Sequence, residues 1–241
     1  MFYTYRTPAP PDTYILAARQ GDVNGDGTVD SVYLVGRKTG PGELFADNIG
    51  IVVQDGRTNT LMQIPLKNAA GYNAQLFLGP FSSARQLDIL VSIDTGGSGG
   101  YILAYLYTIR NNQAVLLFDS DSFAESSMYS AVFKEDFKVE VTSRRGDIKF
   151  IIDVSGKKKM YMDAGIYSES GRLLKPMEGG VLALGAIYPL VADYNGLYQL
   201  LAYQRIIGIY NADNLGAVQT YLKWDGNRLA SDRVEVAIMP A

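Results

Sequence analysis

The chemistry written most clearly in this sequence is an oxygen-rich loop, Asp22-Val-Asn24-Gly-Asp26-Gly27-Thr28-Val-Asp30. Oxygen-bearing side chains fall at alternate positions: Asp22, Asn24, Asp26 and Asp30. A chain that curls around a point can turn every second side chain inward. Calcium takes six to eight oxygen ligands at about 2.3–2.6 Å. Gly27 permits a sharp bend after the third donor, and Thr28 would then offer its backbone carbonyl. Three carboxylates supply the charge, and Asn24 adds a neutral oxygen without further repulsion. Such a hard donor set disfavours zinc and copper, and its flexibility favours calcium over magnesium. An EF-hand loop would end on a bidentate Glu at position 12 and continue as a helix. Counting from Asp22, position 12 is Tyr33, and the following SVYLVG has the alternation of a strand. The last carboxylate is therefore Asp30 at position 9, and the loop is expected to join two strands.

Composition narrows what else the chain can do. It has no cysteine and no histidine. Disulfides, thiolate nucleophiles and a Ser-His-Asp triad are excluded, and the usual ligands of zinc and haem iron are missing. Catalysis would have to rest on carboxylates, Lys, Tyr or a metal bound through oxygen. The net charge of −3 makes general nucleic-acid binding a poor fit, since that needs a basic surface. No apolar run is long enough for a transmembrane helix. The opening MFYTYRTPAPPDTY lacks a signal-peptide pattern, and its prolines predict an extended arm over 1–12.

The elements that must position the loop are strands. Runs such as SVYLVG (31–36), NIGIVVQDGR (48–57), LDILVSID (87–94), YILAYLYTI (101–109), FKVEVTS (137–143) and DIKFIIDVS (147–155) alternate with turn residues. Asp55-Gly56, Ser170-Gly171 and Asp225-Gly226 read as hairpin turns. The best helical candidate is Asp213 to Thr220, where a strand fits equally well. No Ser/Gly-rich linker divides residues 13–241, which are expected to form a single domain.

The loop also recurs in eroded form. With Asp30 as anchor, a second copy places Asp88 in the Asp30 position and Gly79 in that of Gly21, while Pro80, Ser82 and Ala84 replace the first three donors. A third places Gln199 at the anchor and Gly196 at Gly27, with Val191, Asp193 and Asn195 at the donor positions. One intact calcium site is expected, with no ion at the second copy. The anchors imply units of about 57 residues, with a further unit near Phe137 to Ser155. About four strands per unit is the pattern of propeller blades. The expected fold is all-β, a small β-propeller of four or five four-stranded blades, its last strand Arg233 to Met239 near the first, Thr13 to Arg19. A β-sandwich is the alternative.

The GDVNGDGxxD loop running into SVYLVG resembles the FG-GAP/VCBS repeats of integrin-α-like β-propellers. The wider chain is similar to VCBS-repeat proteins of spore-forming Gram-positive bacteria, through IVVQDGRT (51–58), LVSIDTGGSGGY (91–101) and YNADNLGAVQTYLKWDG (210–226). The resemblance implies a propeller in an extracellular, cell-envelope or spore-surface setting. The expected function is a non-catalytic, calcium-stabilised binding or scaffolding module with a protein or glycan partner. The alternative is a carbohydrate-active enzyme or lectin using a propeller face. Other motifs have plainer readings. Gly96 to Gly100 lacks the Lys-Ser/Thr and helix of a phosphate loop and reads as a hairpin loop, with Asp94 as a turn cap. Lys157-Lys158-Lys159 reads as a solvated turn. The 17 tyrosines read as strand packing.

Overall fold

The computed structural model describes residues 12–192 and 196–238. The fold is all-β, as expected, and its strands gather into four antiparallel sheets, none of them closed. The first is β1 (Thr13–Gly21), β2 (Asp30–Arg37), β3 (Asp47–Gln54) and β4 (Leu61–Pro65), in that spatial order. The second is β5 (Tyr72–Gly79), β6 (Asp88–Asp94), β7 (Ile102–Arg110) and β8 (Gln113–Asp119). The third has three strands, β9 (Tyr129–Lys134), β10 (Lys138–Ser143) and β11 (Lys149–Asp153). The fourth is β12 (Gly180–Leu190), β13 (Gln199–Ile207), β14 (Asn214–Trp224) and β15 (Leu229–Ala237). Each strand pairs with its sequence neighbour, because short reversals can join only antiparallel strands.

By their contacts the residues fall into two compact units. Of the described residues, one takes 12–96, 102–119 and 196–198, the other 97–101, 120–192 and 199–238. The first unit is cored by Val32, Leu34, Ile49, Ile51, Ile89, Val91 and Ile93, contributed by β2, β3 and β6. The second is cored by Phe133, Val139, Val141, Ile152, Ile206 and Val218, with Tyr161 set edge-on to Phe133 at 5.3 Å. Each such aliphatic side chain contributes about 1.5–3 kcal/mol when fully buried.

Several sequence expectations are sharpened. Asp213 to Thr220 is no helix: the segment from Asn214 belongs to β14. Helix occurs instead at α1 (Ser120–Ser126) and α2 (Lys158–Asp163). The latter opens on two lysines, where the helix dipole favours acids, so its sequence gave no start signal. The unit expected near Phe137 to Ser155 is the third sheet. Its first hairpin is tight, pairing Lys134 with Lys138 through Asp136 and Phe137, both at positive φ. It therefore has no long loop in which donor residues could recur. A short segment widens it at β9, where the Phe133 N–H donates to Met177 O and the Gly179 N–H to Ala131 O. The last strand pairs with β14 and the first with β2. Met239 lies outside the described residues, as do 1–11 of the expected arm.

Candidate metal-binding loop

The loop joins β1 to β2, and the pair Gly21–Asp30 closes the ladder at its base. Its donor side chains accept backbone N–H groups of the loop itself. Asp22 Oδ1 accepts from Gly25 N at 2.7 Å and Oδ2 from Gly27 N at 2.8 Å. Asn24 Oδ1 accepts from Asp26 N at 2.9 Å, and Asp26 Oδ1 from Thr28 N at 2.8 Å. The bend needs φ of +78° at Gly25 and +83° at Gly27, which glycine adopts without strain. Asp30 is buried, and both its oxygens are engaged: Oδ2 with Val23 N at 3.0 Å, Oδ1 with Gly56 N at 2.9 Å.

Asp26 Oδ2 is the exception. It is buried and takes no hydrogen bond, although Arg57 Nη2 lies 3.0 Å away as an ion pair. The structure thus brings Asp22, Asn24, Asp26 and Asp30 around one loop but turns Asp30 into its base. Thr28 contributes an N–H to Asp26. Among the described residues, no three Asp or Glu side chains converge as a metal-holding group on their own. An ion here would also need Asn24 and backbone oxygen.

The turn between β3 and β4 completes the site, and the loop's own spacing gave no sign of it. Asn24 Nδ2 donates to Asp55 Oδ2 at 3.0 Å. Asp55 Oδ1 accepts from Arg57 N and Thr58 N, and chiefly the Thr58 N–H holds the Asp55 carboxyl below its usual range. A Cβ at Gly56 would run into the Val29 carbonyl. Asp55-Gly56 lies in the β3–β4 hairpin connection, as its dipeptide predicts, but as the start of a wider 55–60 turn, and it is also a wall of the loop.

Asp30, Asp88 and Gln199 are the first residues of β2, β6 and β13, and all three are buried. They pair with Gly21, Gly79 and Leu190, so the three loops have one length. Asp88 Oδ2 accepts from Phe81 N at 2.9 Å and Ser82 N at 2.6 Å, and Oδ1 from the Ser82 hydroxyl at 3.0 Å. Phe81 stands where Val23 stands, and both are fully buried. The loops also repeat how they meet. Leu87 N donates to Asp22 O at 2.8 Å, and Tyr198 N to Pro80 O at 2.7 Å, at equivalent positions. A Cβ on Gly21 would meet the end of the Leu87 side chain, and one on Gly79 the rings of Phe77 and Tyr198. Asp193 and Asn195 lie outside the described residues.

Elsewhere, Lys157 is no solvated turn. Its ammonium lies 2.8 Å from Oδ1 of the buried Asp213 and 2.7 Å from Asn214 O. Asp213 Oδ2 accepts from the Tyr161 hydroxyl at 2.8 Å and from Ile209 N at 3.0 Å. Asp94 accepts from Asn73 Nδ2 at 3.1 Å. An open cavity of about 390 Å³ is lined by Ala18, Arg19, Gln20, Ser31 and Tyr33. Among the described residues no helix is long and apolar enough to cross a membrane.

A family model described as the YybI C-terminal domain matches residues 127–237. Over 236 residues the chain is 42% identical to "Uncharacterized protein YybI" of Bacillus subtilis (strain 168), covering 98% of this chain and 89% of that protein. The chain belongs to the YybI family. No solved structure matches it. Within this YybI-family chain the matched domain takes in β9 to β15 and leaves the 22–30 loop outside. The likeness of that loop to FG-GAP/VCBS repeats therefore rests on its own residues.

Proposed function

We propose that this YybI-family chain is a non-catalytic binding or scaffolding module, stabilised by calcium at the 22–30 loop. The observation that carries this reading is Asp26 Oδ2, a buried oxygen of the donor loop that takes no hydrogen bond and has the Arg57 guanidinium beside it as an ion pair. The residues fit a hard cation. Asp22, Asn24, Asp26, Asp30 and the Thr28 carbonyl would hold it, and each oxygen that accepts one N–H keeps a further lone pair. A bound ion would supply positive charge among three carboxylates. By mass action it would add stability to the folded state alone.

The same repeat supports a small propeller of blade-like sheets. The four sheets begin at Thr13, Tyr72, Tyr129 and Gly180, close to an even period, and three share one loop register. A setting at the cell surface or spore, with a protein or glycan partner, follows from the FG-GAP/VCBS likeness. Thermal unfolding in calcium, in magnesium and in chelator tests the reading. Calcium is expected to raise the midpoint selectively, and Asp26→Ala to abolish the rise. Coincident curves for all three conditions refute it. A glycan array and a hydrolase panel then separate a binding module from an enzyme.

A further inference from the structure

The loop already has a cation beside it. Arg57 Nη2 stands 3.0 Å from Asp26 Oδ2, the one buried carboxylate oxygen of the loop without a hydrogen bond. The guanidinium is delivered by a fixed turn. Asp55 holds the Arg57 and Thr58 N–H groups and accepts from Asn24, while Gly56 N is tied to Asp30. Yet the Arg57 side chain is 64% exposed, against 13% for Asp26. Its backbone is anchored and its head is free to swing into water.

We propose that Arg57 is the resident counter-cation of the loop and sets its affinity for calcium. This rests on the calcium reading above and adds to it a residue outside the ligand set. A calcium ion held about 2.3–2.6 Å from Asp26 Oδ2 would face the guanidinium nitrogen 3.0 Å from the same oxygen, and the two positive charges repel across it. Binding therefore favours the swing of Arg57 out into water, with loss of the ion pair. The displaced charge stays tethered by a short turn and still repels the ion. For charges +1 and +2 roughly 6 Å apart in water, that repulsion alone amounts to about tenfold in affinity. The consequence is a site about tenfold weaker than the same loop would be without the arginine. In the metal-free chain, Arg57 offsets repulsion among Asp22, Asp26 and Asp30 and keeps the loop closed.

The test is calorimetric titration of calcium at fixed ionic strength into wild type, Arg57→Gln, Arg57→Lys and Asp26→Asn, with thermal melts across calcium concentrations. Arg57→Gln is expected to bind calcium about tenfold more tightly. It should melt at or below wild type in chelator and above it at saturating calcium. Arg57→Lys keeps the charge and is expected to bind like wild type. In wild type, the Arg57 side-chain NMR resonance should move as calcium is added. Equal affinity of Arg57→Gln and wild type, or a resonance that stays fixed to saturation, overturns the role of Arg57 and leaves the calcium site standing. Absence of calcium binding in wild type and both Arg57 variants overturns the calcium reading itself.

Discussion

Replacing Asp88 with alanine should be among the most damaging single changes in the first unit. The side chain is fully buried, and its carboxylate accepts from Phe81 N, Ser82 N and the Ser82 hydroxyl at 2.9, 2.6 and 3.0 Å. Truncation strands two backbone N–H groups beside the buried Phe81 ring. Each unsatisfied buried group costs about 1–3 kcal/mol. Ser82 is only half-buried, so its hydroxyl can turn to water at little cost. Relief of the buried charge offsets part of the loss. The net expectation is a destabilisation of about 3–4 kcal/mol. Asp88→Asn can keep its oxygen on the two backbone N–H groups and donate its amide to the Ser82 hydroxyl, losing only the charge-assisted part of the bonds, and should cost about 1 kcal/mol. Ser82→Ala removes one bond and should cost about 0.5–1 kcal/mol. The single tryptophan, Trp224, is in the other unit, so its fluorescence is a poor reporter here. Urea unfolding followed by circular dichroism, with hydrogen exchange of the Phe81 and Ser82 amides, reads the effect directly. The order should be the same in calcium and in chelator. A loss below about 1 kcal/mol for Asp88→Ala, or no faster exchange at Phe81, would refute the view that this carboxylate anchors the loop.

Gly56→Ala forces a methyl into the Val29 carbonyl and should cost about 1–3 kcal/mol, measured by urea unfolding; a neutral result would mean the turn moves away freely. Lys157→Ala leaves Asp213 with only its Tyr161 and Ile209 partners. Because Lys157 is partly exposed, about 1–3 kcal/mol is expected, read by Trp224 fluorescence in the same unit. Burial foremost, with Glu135 nearby, pushes the Tyr167 hydroxyl up to about 12, and burial together with Asp213 raises that of Tyr161. The folded state holds both phenols neutral. Their contribution to stability is therefore complete below the unfolded value near 10 and is lost as pH rises through the folded values. Phenolate absorbance should show these two ionising only together with alkaline unfolding. Early, reversible titration of all tyrosines in the folded chain would contradict this.

The anchors were legible because they are local. A loop of fixed length, a buried polar residue at the start of the second strand and a glycine at the end of the first can all be aligned by eye. Asp30, Asp88 and Gln199 accordingly fall at the same strand position. What was hidden is what arrives from elsewhere. Arg57 and Asp55 reach the loop across a whole hairpin, and Lys157 reaches Asp213 from another element. Both basic residues look like surface charge in one dimension. The eroded second copy then separates two tasks that the intact loop combines. It has lost the three loop donors yet keeps its anchor carboxylate, which binds backbone N–H groups directly. Asp30 does the same in the first copy. The anchor therefore belongs to folding of the corner, with or without an ion. The donors Asp22, Asn24 and Asp26, which the second copy lacks, are the ones that set the intact loop apart as a cation site, while Asp30 would serve both tasks. It follows that Asp30 variants report on the sheet, and that Asp26 and Arg57 are the positions at which calcium can be tested without first breaking the fold.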